Sequence, residues 1–136
     1  MSGAGRLIGF EHVGMAVADL DASLHFYCDL LGLKLVLRKT MPSGNGELGF
    51  LDTGNGQLEL ICPDPPVSRP APQLPNTSAG IRHITFRFES VDAVFDRLTA
   101  AGVDIVERPR DAFNREIVSR VAFVHDPDGT IVELAE

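Results

Sequence analysis

Two histidines and two glutamates recur in matched settings along this chain. His12 lies in Phe10-Glu11-His12-Val13-Gly14 and His83 in Ile81-Arg82-His83-Ile84-Thr85. Glu59 lies in Gln57-Leu58-Glu59-Leu60 and Glu133 in Ile131-Val132-Glu133-Leu134. Each half therefore opens on a His and closes on a Glu, at nearly the same spacing. Alone, any one of them reads as a satisfied strand histidine or a solvated strand-end glutamate. Their recurrence at equivalent places points instead to a four-ligand site for one divalent ion. Such a mixed nitrogen and oxygen set suits Zn, Ni, Co, Mn or Fe, and spacing does not choose among them. Glu59 and Glu133 each stand between apolar neighbours, where a carboxylate turned inward needs a partner.

Three further residues are weaker candidates. His25 falls within a helical pattern and reads as a surface residue. His125 immediately precedes the turn Asp126-Pro127-Asp128-Gly129. Glu47 follows a glycine loop at a strand start, where it reads as an exposed carboxylate or as a second acid or base.

The elements that must position these groups also repeat. Residues 8–17 alternate like a strand. Asp19 then offers an N-cap to a helix with Leu20, Leu24, Tyr27, Leu30 and Leu31 on one face, and Gly32 stands where a C-cap is wanted. Strands follow at 33–40, 47–52 and 57–62, separated by Pro42-Ser43-Gly44-Asn45-Gly46 and Thr53-Gly54-Asn55-Gly56. The second half repeats the order: a strand at 82–88, a helix capped by Ser90 and ended at Gly102, then strands at 103–107, 117–124 and 130–135. This is an internal duplication. The predicted class is α+β, with two βαβββ modules in tandem (8–62 and 81–136) whose sheets curl into a cup. Between them, residues 63–80 hold Pro63, Pro65, Pro66, Pro70, Pro72 and Pro75, the composition of a linker, and one long enough to lie over a site.

Bulk properties narrow the function classes. Half of a 136-residue chain buries little surface alone, so the two modules should pack on each other or on a second subunit. A net charge of −7 with no basic run argues against a nucleic-acid partner. No segment approaches the roughly 20 apolar residues that span a bilayer, and residues 1–8 lack the apolar stretch of a signal peptide. The expectation is a cytoplasmic protein without a membrane partner. Cys28 and Cys62 lack metal-type spacing and read as reduced, packed residues.

The chain resembles the vicinal oxygen chelate superfamily: glyoxalase I, methylmalonyl-CoA epimerase, extradiol dioxygenases, and the fosfomycin- and bleomycin-resistance proteins. The resemblance rests on the run from His12 to Leu20, on Phe26-Tyr27-Cys28-Asp29-Leu30-Leu31-Gly32-Leu33, and on Phe123-Val124-His125-Asp126-Pro127-Asp128-Gly129 followed by Val132-Glu133-Leu134. It implies a cup-shaped site around one divalent metal that holds two neighbouring oxygens of a small-molecule substrate, usually in a homodimer. The ion acts as a Lewis acid while a proton leaves the adjacent carbon. The ligand set His12, Glu59, His83 and Glu133 is closest to bacterial glyoxalase I. In that branch a ligating glutamate also moves the proton, with Glu133 the first candidate by position and Glu59 the second.

The chain departs from that family at the positions that serve glutathione, where it carries Ala16 and Pro63. Methylmalonyl-CoA-type epimerisation is the nearest alternative, since Glu47 stands where that family carries a catalytic glutamate. Two other readings follow from the same superfamily. A drug-binding resistance protein would catalyse nothing, and an iron extradiol dioxygenase would use His12, His83 and Glu133 and leave Glu59 without a role.

Overall fold

A computed structural model describes residues 4–136. Strand β1 (His12–Ala16) is short because its parallel partner β4 (Gln57–Pro63) begins only at Gln57, which pairs with His12. Residues 8–11, expected to continue the strand, have no ladder to join apart from one bond from the Gln57 amide to the Glu11 carbonyl. Between them run α1 (Leu20–Leu24), β2 (Lys34–Thr40) and β3 (Gly46–Asp52), giving the sheet order β1-β4-β3-β2. The second module repeats this with β5 (Ile84–Arg87), α2 (Val91–Ala100), β6 (Ile105–Asp111), β7 (Arg120–His125) and β8 (Ile131–Ala135), in the order β5-β8-β7-β6. The architecture is α+β, built of two four-stranded mixed sheets, each with one parallel pair.

Both helices start on the predicted caps. The Asp19 carboxylate accepts from the Ala22 amide and the Ser90 hydroxyl from the Ala93 amide, satisfying donors that the first turn cannot bond itself. The first helix departs from expectation beyond Leu24, where His25–Leu30 winds as a π-helix. The wider winding turns the adjacent Phe26 and Tyr27 both inward, so Leu24 and Leu30 are only half-buried. Strand β6 runs to Asp111, past the expected end, because Pro109 sits on an edge strand with register shifts, where a missing N–H costs no ladder bond.

Each sheet buries one face and leaves the other open. On β4, Leu58 and Leu60 are fully buried, while Glu59 between them faces the opposite side. Val132 and Leu134 flank Glu133 in the same way on β8. The buried faces of both modules merge into one core that includes Tyr27, Leu51, Leu58, Leu60, Phe95, Leu98, Val124 and Leu134. A polar knot ties them together. The Tyr27 hydroxyl donates to Asp126 Oδ2 (2.6 Å), and the Ala18 amide donates to Asp128 Oδ1 (3.0 Å). Burial pushes both the Asp126 carboxyl and the Tyr27 phenol above their ordinary ranges.

The proline-rich segment is strapped to the second module. The Arg69 guanidinium bonds Asp128 (2.8 Å), the Ala71 amide donates to the Asp128 carbonyl (2.7 Å), and Gln73 donates to the Gly129 carbonyl (2.9 Å). Arg82 then gathers the carbonyls of Pro75, Ser78 and Gly80.

Candidate metal centre

Alternation along β1 sends His12, Gly14 and Ala16 to the open face, and the parallel register sets Gly14 beside Glu59. His12 Nε2 lies 3.6 Å from Glu59 Oε1. The ring meets Phe50 edge-on, with centroids 5.3 Å apart, and Phe50 is the antiparallel partner of Glu59. The other ring nitrogen, Nδ1, bonds the Glu11 carboxylate, which also accepts from Gln57 Nε2 (2.7 Å). The bond from His12 holds the Glu11 carboxyl below the usual carboxylate range, followed by the bond from Gln57. A carboxylate on Nδ1 selects the tautomer whose Nε2 lone pair faces Glu59.

The second module builds the same arrangement. His83 stands just ahead of β5, with Nε2 3.1 Å from Glu133 Oε1. Its ring meets Phe123 edge-on at 5.9 Å, and Phe123 is the antiparallel partner of Glu133. Here the residue beside the glutamate is Thr85, whose hydroxyl donates to Glu133 Oε1 (2.6 Å). In both pairs the glutamate is the more covered partner, with side-chain exposures of 18% and 16% against 38% and 41% for the histidines.

The donor chemistry fits a metal. Two ligands each about 2.0–2.2 Å from one ion stand roughly 3–3.5 Å apart, close to the separation in both pairs. The chain nevertheless brings the four together only two by two. Among the described residues, no three His, Cys, Asp or Glu side chains converge so as to hold an ion. Each module thus presents one His–Glu pair.

The weaker candidates lie elsewhere. Glu47 shares the face of Gly49 and Leu51, which turns toward α1 and away from Glu59. There Arg38 grips both its oxygens (3.0 Å each) and also reaches Asp21 (2.9 Å). That ion pair holds the Glu47 carboxyl low. His25 bonds Asp29 (2.9 Å) on the surface, as expected. His125 bonds Asp104 (2.6 Å) and lines a cavity of about 450 Å3 together with Arg69 and Gln73.

A larger cavity of about 780 Å3 opens between the modules, with Phe10, Lys34, Gln57, Thr85 and Arg87 in its wall. None of the four ligand candidates lines it, but Gln57 and Thr85 bond Glu11 and Glu133 from its edge. Glu11 and Thr85 touch the ligand candidates, and the duplicated motif alone does not single them out. Adjacency to His12 marks the first, and strand alternation two residues after His83 marks the second.

Residues 9–134 match a family model described as the Glyoxalase/Bleomycin resistance protein/Dioxygenase superfamily. A probable lactoylglutathione lyase of Synechocystis sp. is 33% identical over 129 residues, covering 92% of each chain. The mitochondrial methylmalonyl-CoA epimerase of Homo sapiens is 28% identical over 142 residues, covering 97% of this chain and 74% of its own. Among solved structures, a glyoxalase family protein from Enterococcus faecalis superposes with a TM-score of 0.74 at 27% identity, covering 95% of this chain and 98% of that one.

Proposed function

The chain belongs to the glyoxalase/bleomycin resistance protein/dioxygenase superfamily, and on that premise we propose a divalent-metal-dependent lyase or isomerase of glyoxalase I type. The observation that carries this reading is the matched pair of His–Glu half-sites, with both glutamates aimed at their histidines. His12, Glu59, His83 and Glu133 would hold the ion. When bound, it supplies Lewis acidity to two neighbouring oxygens of the substrate, which acidifies the adjoining C–H. The chain's own residues do the rest. Glu11 orients the His12 ring, Phe50 and Phe123 wall the imidazoles, and a glutamate of the set takes the proton from one carbon and returns it to its neighbour.

The two-by-two arrangement favours a centre completed by a second copy. In a homodimer, His12 and Glu59 of one chain would meet the partner's His83 and Glu133, and two-fold symmetry would build two such centres. Strands β1 and β5, which carry or adjoin the two histidines, are both edge strands with one unpaired side. Leu35, Val36 and Leu37 on the edge strand β2 are also exposed, at 47%, 61% and 45%.

Epimerisation of a methylmalonyl-CoA-type thioester is the second reading, favoured by the likeness to the human epimerase. Glu47 does not serve it, since Arg38 holds that side chain on the other face of the sheet. The same four residues would carry the reaction. For the glyoxalase reading, Ala16 and Pro63 offer no charged or amide side chain to a thiol tripeptide.

The test is metal content by plasma mass spectrometry on untagged protein. About one divalent ion per chain is expected, lost in a His12→Ala/Glu133→Ala variant that still folds. Wild-type protein that stays metal-free after reconstitution with zinc, nickel and cobalt would end this reading.

A further inference from the structure

The two half-sites hold their carboxylates unequally. Register pairs Gly14 with Glu59 and Thr85 with Glu133, so the residue two places after each histidine sits beside the glutamate. In the second module, the Thr85 hydroxyl bonds Glu133 Oε1 at 2.6 Å, the same oxygen that faces His83 Nε2. A carboxylate has no hydrogen to give, so the threonine must be the donor. That gives Glu133 a side-chain donor of its own. In the first module the corresponding position has no side chain. Glu59 Oε1 lies over Gly14, where even a Cβ would come within 3.0 Å of it. His12 Nε2 lies 3.6 Å from it, and among the described residues the Glu59 carboxylate accepts no side-chain hydrogen bond.

Building on the proposed metal centre, we infer that Thr85 is a positioning residue that makes Glu133 the more firmly fixed of the two carboxylate ligands, with Glu59, over bare backbone, the looser one. A hydroxyl bond restricts rotation of the glutamate side chain and keeps one oxygen aimed, as outer partners of metal ligands do. An untethered carboxylate lacks that restraint, so it contributes less to holding an ion.

The experiment needs only cobalt. Co2+ is titrated into metal-free protein against a competing chelator, with the visible absorption spectrum recorded, for wild type and for Thr85→Val, Thr85→Ser, Glu59→Gln and Glu133→Gln. Thermal unfolding of each variant confirms the fold. Thr85→Val should weaken Co2+ binding by about ten- to a hundredfold and alter the spectrum, while Thr85→Ser should restore both. Glu133→Gln should cost about tenfold more affinity than Glu59→Gln. Unchanged Co2+ affinity and spectrum in Thr85→Val, failure of serine to rescue, or a Glu59→Gln loss as large as that of Glu133→Gln would overturn the inference while the centre stands. A wild type that binds no Co2+ removes the centre and the inference with it.

Discussion

At the scale of single residues, the chemistry depends on where a few polar atoms aim. His12 has two ring nitrogens, and Glu11 on Nδ1 leaves Nε2 turned toward Glu59, where the proposed ion would sit. Glu11→Gln keeps the shape but replaces a charged acceptor by a neutral one, so the ring is less firmly oriented. Metal affinity should fall about tenfold, read by the same chelator competition. Equal affinity in the variant would show that Glu11 is a bystander on an exposed strand end. The repeat of His and Glu in matched contexts was readable from residue order. The role of Glu11 was not, since a carboxylate beside a histidine in sequence meets its ring only for particular backbone and rotamer choices.

At the scale of elements, the strands that carry the site depend on turns and on the buried knot. Gly46, which opens β3, has φ +107, and a Cβ there would stand 2.1 Å from the Cys62 carbonyl on the neighbouring strand. Gly46→Ala should therefore cost about 1–3 kcal/mol and lower the melting temperature, because either the turn or the β3–β4 ladder must shift. A melting curve identical to wild type would show that the ladder gives way freely. The knot at Asp126 has a pH signature. Burial is the main cause raising its carboxyl above the ordinary 3.8, against bonds from Tyr27, Thr130 and Asp128 that favour the charged form. A folded-state value above the unfolded one means that the folded state binds the proton more tightly. Its stabilising contribution is complete below the ordinary value and is lost as pH rises through the raised one. Asp126→Asn removes that titration. Wild type should accordingly lose stability relative to the variant as pH rises from about 4 in urea unfolding. A constant difference over that rise would place the cost of burying Asp126 elsewhere.

At the scale of the molecule, a site offered in halves makes a prediction that no single-chain site shares. If His12 and Glu59 of one copy meet the partner's His83 and Glu133, a dimer of a His12→Ala chain with a His83→Ala chain has one centre with both defects and one with none. Each variant alone should be metal-free, and co-expressed mixed dimers should recover about half of the wild-type metal. No recovery in isolated mixed dimers would mean that the two halves do not meet across subunits. The exposed leucines and valine of β2 and the open edges of β1 and β5 are the surfaces on which such an assembly could form.

Residue order by itself determined the duplication, the βαβββ sequence of elements, both helix caps and the His–Glu pairs, because caps, turns and strand alternation act over a few residues. Helical periodicity could not show the π-winding over His25–Leu30. That winding accompanies a contact between Tyr27 and Asp126, far apart in the chain. Nor could it show that Glu47 belongs to Arg38, since a one-residue step along β3 decides which face of the sheet a carboxylate joins, and only the register of β2 on β3 sets that step. Local rules predict what each strand carries toward the open face. Whether two open faces meet is decided by how the two modules pack through a shared core. In this chain that packing keeps the two His–Glu pairs apart.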